Sequence, residues 1–177
     1  MTYYIDQLEP GMSASTAKTI TDADLVLFAA VSTDVNPAHL EALATRATLS
    51  EVFPKAGAEA AAGGFVLTQI GPAPAPILWI QDRLAEREAG RPCLAGLGLH
   101  GPLMLMQLSR PADVMIAAEE GLRCKALAAV VAEVRGDPPA MNFTATKRLA
   151  LRAEAAGVPC WLIRHGAMPD LSAARDR

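Results

Sequence analysis

From residue 77 the chain alternates between short apolar runs and segments whose apolar positions recur at helical spacing. ILWIQ (77–81), LMLMQLS (103–109), LAAVVAEV (127–134) and VPCWLIRHG (158–166) read as strands. Between them, PADVMIAAEEGLRC (111–124) reads as a helix with Pro111 in its first turn, and FTATKRLALRAEAAG (143–157) as a helix closed by Gly157. Continuous apolar strands separated by helices predict a mainly parallel sheet covered on both faces, an α/β fold. The rhythm is absent upstream. STAKTI (15–20) suits a short strand, and TDADLVLFAAVS (21–32) suits a helix with Thr21 as N-cap and Asp24 in a capping-box position. Residues 41–65 are rich in alanine and glycine, and GPAPAP leads into the strand at 77. The pattern therefore predicts an N-terminal piece over 1–40 and a layered α/β domain over 45–177.

Composition adds bounds. The 177 residues are 51% hydrophobic and 20% charged, which fits a folded chain, while aromatics at 5% leave the core to Ala, Leu, Val and Met. A net charge of −3 gives no overall attraction to nucleic acid, so an anionic partner would need a local basic patch. Cys93, Cys124 and Cys160 are too far apart for a CxxC site, which fits a reducing cytoplasm and predicts no metal. The N-terminal MTYYIDQLEPGM lacks the pattern of a signal peptide, and no apolar run reaches membrane-spanning length. The expected location is cytoplasmic, without membrane contact.

Candidate chemistry begins with VSTDVNPAHL (31–40). Asp34, Asn36 and His39 surround Pro37, which forces a loop after the helix. A carboxylate and an imidazole on such a loop can share one water, one activating it and one delivering a proton. The sequence FAAVSTDVNPAHL, with GMSASTAKTITDADLVLFA before it, resembles the MaoC-like, R-specific enoyl-CoA hydratases of hot-dog fold. That resemblance implies Asp34 and His39 as catalytic residues, Asn36 as their support, and a trans-2-enoyl-CoA as substrate. A capped helix end with a solvated histidine is the bland alternative. The long antiparallel strands of a hot dog do not follow Leu40, so 1–40 reads as a fragment of that fold.

A second resemblance covers more of the chain. LSEVFPKAGAEAAAGGF, ILWIQDRLAEREAGRPCLAGLGL, RPADVMIAAEEGLRCKALAAVVAEVRGDPP and FTATKRLALRAEAAGVPCWLIRHG follow one another in order from about 49 to the end. They resemble the ImuA-type SOS mutagenesis proteins, RecA-like accessory factors of damage-induced translesion synthesis. The resemblance implies a RecA-like layered domain and contact with an error-prone polymerase assembly. A RecA-like ATPase needs a glycine-rich loop ending in Lys and Ser or Thr. GAEAAAGGF supplies Gly57, Gly63 and Gly64 but neither of those residues, so no nucleotide cofactor is expected, and a small-residue helix packed on the sheet is the plainer reading. Lys147, Arg148 and Arg152 fall within about one turn and form a candidate surface for a partner or for DNA, or else a solvated face with Glu154.

Three further features rank lower. Asp82, Glu86 and Glu88 alternate with Arg83, Arg87 and Arg91 after a strand end, where open α/β sheets place ligands and where solvated helices also occur. His100 and His165 have no ligand spacing, and Trp79 and Trp161 read as core. The leading expectation is a non-catalytic accessory protein acting by protein contacts. The alternative is an enoyl-CoA hydratase working through Asp34 and His39.

Overall fold

The computed structural model describes residues 47–55, 59–92 and 101–176. All of them fall in the second of the two units into which the chain divides, Ala38–Arg177. Five strands form one sheet: β1 (Leu49–Val52), β2 (Ile77–Asp82), β3 (Leu103–Leu108), β4 (Ala129–Arg135) and β5 (Cys160–His165). Their order is β1-β5-β4-β2-β3, and every pairing is parallel. The α/β expectation holds, with a sheet that is wholly parallel rather than mainly so. Four helices connect the strands: α1 (Glu59–Ile70), α2 (Arg83–Ala89), α3 (Pro111–Gly121) and α4 (Phe143–Ala156).

The central strands are buried along their length, as both faces of a parallel sheet require. Leu78, Ile80, Val130, Ala132, Val134 and Leu162 pack with α3 and α4 on one face. Ile77, Trp79, Val131, Trp161 and Ile163 pack with Ala62 and Val66 of α1 on the other. Local signals mark the helix ends. Asn142 accepts from the Ala145 amide at 3.0 Å to begin α4, and Gly157, at φ 72°, closes it with its amide on the Ala153 carbonyl. Asp82 opens α2 by accepting from the Ala85 amide at 2.6 Å. Pro111 occupies the first turn of α3, where its missing amide hydrogen costs nothing.

The structure trims several sequence expectations. β3 stops at Leu108, α3 at Gly121 and β5 at His165, because turns take over the flanking residues. The strand expected at 127 begins at Ala129. GAEAAAGGF follows its plainer reading as a small-residue helix: Gly63 and Gly64 lie inside α1, while Gly57 is outside the described residues. A Cβ on Gly63 would stand 3.4 Å from the Trp79 ring, so α1 passes at contact distance over that side chain. β1 is an additional strand, whose partner β5 lies far along the chain. Among the described residues no helix is long and apolar enough to cross a membrane.

Candidate functional site

In an open parallel sheet, ligands sit beyond the carboxyl ends of the strands where connections leave in opposite directions. Here β2 leads outward to β3 while its neighbour β4 leads back to β5, so that point lies between β2 and β4. The last inward positions of three adjacent strands are polar: Gln81, Glu133 and His165. Glu133 is 4% exposed and fully engaged. Its Oε2 accepts from Trp79 Nε1 at 2.7 Å and from the Gln81 amide, and its Oε1 meets His165 Nε2 at 3.0 Å. Gln81 also donates to the Gly90 carbonyl at 2.9 Å, tying the end of α2 to the network. Burial of a carboxylate is tolerable only with such partners. His165 is wholly buried, and its Nδ1 has no partner among the described residues.

A second cluster lies on the opposite face, at the ends of β1 and β5. Arg164, 1% exposed, donates to Asp170 and Asp137 at 2.6 Å each, with Glu51 at 3.7 Å and the Phe53 ring 5.1 Å from its guanidinium carbon. Burial works to lower its pKa, but the hydrogen bond it donates to Asp170 and the charges of Asp170, Glu51 and Asp137 outweigh it and raise the pKa. Ser172 donates to Glu51 at 2.9 Å, and the Ala173 amide donates to Thr146 at 3.1 Å. Residues 166–176 are thus strapped across this end of the sheet. The strap reaches the β1 edge, where the Glu51 amide donates to the Asp176 carbonyl at 2.9 Å.

The sequence-predicted residues fare differently. Asp34, Asn36 and His39 lie outside the described residues, as does His100. Lys147, Arg148 and Arg152 are all exposed on α4. Glu119 of α3 takes up Arg148 at 3.0 Å and Arg152 at 3.5 Å, which leaves Lys147 as the outward charge of that stripe. The run 82–91 becomes α2, with Arg91 paired to Glu86 and Glu88 lying between Arg87 and Arg135. Trp79 and Trp161 are buried as expected, and Trp79 has a polar role as well. The Glu133–His165 contact was missed. Its signal was present in the strand parity, which puts a polar residue two positions after an inward apolar one in VAEV and in LIRH. Cys160 is buried, and burial pushes its thiol up to about 12. Cys124 is exposed. Among the described residues, no group of three or more His, Cys, Asp or Glu side chains is arranged to hold a metal.

No protein-family description matches this chain. A short N-terminal stretch of 38 residues is 50% identical to an (R)-specific enoyl-CoA hydratase of Rhodospirillum rubrum. That stretch is 22% of this chain, and the chain spans about a quarter (26%) of the hydratase. Among solved structures, SulA from Pseudomonas aeruginosa is similar with a TM-score of 0.45 and 19% identity, over 67% of this chain and 98% of that one. Likeness of that degree carries no argument about activity.

Proposed function

We propose that the α/β unit is a non-catalytic accessory module that works by protein–protein contact, in the manner of the ImuA-type proteins of damage-induced mutagenesis that its sequence blocks resemble. One observation carries the reading. The carboxyl end of the central strands is filled by the Glu133 network, whose members are bonded to one another and shielded from water. Surface features support contact instead. An exposed apolar edge strand and two charged helices offer binding area. The test is a pull-down from damage-treated cells with the full-length chain as bait. Retention of a translesion polymerase is expected, and its absence from the bound fraction sinks the reading.

A second reading rests on the 38-residue hydratase match. Under it, Asp34 and His39 add water to a trans-2-enoyl-CoA, and Asn36 holds the loop. Hydration of crotonyl-CoA by the full chain, abolished by Asp34→Ala, would establish it. Soluble, folded protein without that activity rejects it.

A further inference from the structure

We propose that the open edge of β3, together with the arginine-lined groove beside it, is a docking surface for an extended segment of a partner protein that is apolar along its strand and acidic at one end. The proposal rests on the protein-contact reading and names its surface.

Three observations converge on this edge. Among the described residues β3 is the terminal strand and pairs only with β2, so the backbone groups on its outer side offer an edge for strand addition. Its side chains are apolar and unusually exposed: Met104 at 43%, Leu105 at 43% and Met106 at 39%. No charge, proline or bulge interrupts Leu103–Leu108, although natural edge strands ordinarily carry one of those devices. The opposite edge does have protection, since the strap covers β1 through Asp176.

The groove specifies the occupant. Arg83, Leu84, Glu86, Arg87, Arg91 and Gln107 line a shallow cavity of about 550 Å³. Gln107 is opposite Gln81 in the sheet register, so the groove opens at the carboxyl end of β3 on the face that carries α2. Three arginines face one glutamate there. Glu86 is already held by Arg91, and Arg87 is 79% exposed with, among the described residues, only Glu88 at 3.7 Å. A strand laid along β3 places alternate side chains against Leu105 and Leu84 on one face and Met104 and Met106 on the other. Carboxylates at its end then meet Arg83 and Arg87.

A second copy of this chain fits less well. A closed two-fold pair would run β3 antiparallel to itself. That arrangement brings the uncharged start of the partner's strand to the groove and leaves the arginines without counter-charge. Charge complementarity therefore favours an acidic segment.

The probes are fluorescent peptides of alternating valine and threonine with three glutamates at one end or the other, and twins carrying three lysines. Anisotropy is measured on the full-length chain. One glutamate peptide should bind about tenfold tighter than its lysine twin, and Arg83→Glu/Arg87→Glu should erase that preference. Methylating alternate backbone nitrogens should abolish binding in one register and spare it in the other, because only every second amide faces the edge. Equal binding of the twins, indifference to methylation in both registers, or no binding of any peptide would each overturn the proposal. So would a dimer, seen by light scattering, that Met106→Lys dissolves and Arg83→Glu/Arg87→Glu preserves. No polymerase enters this assay, so it succeeds or fails independently of the pull-down.

Discussion

Glu133 has almost no access to water, and its stability in that position depends on neighbours from the two flanking strands. Trp79 and Gln81 reach it from β2, and His165 from β5. Glu133→Ala strands those donors in the core and should cost about 3 kcal/mol in denaturant unfolding, whereas Glu133→Gln, which keeps an acceptor, should cost less. A loss below about 1 kcal/mol for the alanine variant would show that water reaches the site. Cys160 gives a pH-dependent counterpart. Its thiol has an ordinary value of 9.0, taken here for the unfolded chain, and about 12 in the folded protein. Above pH 9 the unfolded chain therefore binds fewer protons than the native one, and stability falls as pH rises. Relative to Cys160→Ala, the native chain should lose about 1.4 kcal/mol per pH unit above that point and nothing below it. Iodoacetamide at neutral pH should label Cys124 and spare Cys160 until denaturant is added. Strand parity marks Glu133 and His165 as inward-facing, but the partners that hold them are set by the order of the strands, which the sequence does not show.

At the scale of elements, legibility followed the length and continuity of the apolar pattern. β2, β4, β5, α3 and α4 were readable because each carries its own periodicity and, for the helices, its own boundary residues. Asn142 and Gly157 mark the ends of α4 by local chemistry alone. Asn142→Ala should lower stability by about 1 kcal/mol, and Asn142→Asp should restore most of it, measured as midpoint shifts in thermal unfolding. β1 was not readable. It is four residues long, includes Ser50 and Glu51, and is defined by a strand more than a hundred residues away. The charged run after β2 was ambiguous for a different reason. Its spacing predicts a helix, but only the fold shows that Arg83 and Arg87 share a groove with Gln107 of the edge strand.

At the scale of the whole α/β unit, the two sheet edges are treated in opposite ways, and this asymmetry can be tested. The strap crosses the end of the sheet to reach β1, donating the Arg175 amide to the Leu49 carbonyl at 2.9 Å and accepting from the Glu51 amide at the same distance. Arg164 anchors it by gathering Asp170 on the strap, Asp137 after β4 and Glu51 on β1. Arg164→Met removes the cation that these three carboxylates share, which weakens the attraction that gathers them. The strap should detach, and hydrogen exchange should show it as faster exchange at the Glu51 amide, with the amides of β2 and β4 unchanged. Removing residues 170–177 should have the same effect and a further one. With Asp176 gone, β1 presents unpaired backbone groups, and a chain open at both edges can add copies head to tail without closing. Light scattering of the truncated chain should therefore show growth with concentration beyond any small oligomer. Met106→Lys in that background should arrest the growth, since a filament needs both edges. If the truncated chain keeps the size of the full-length one, the strap is not what protects β1.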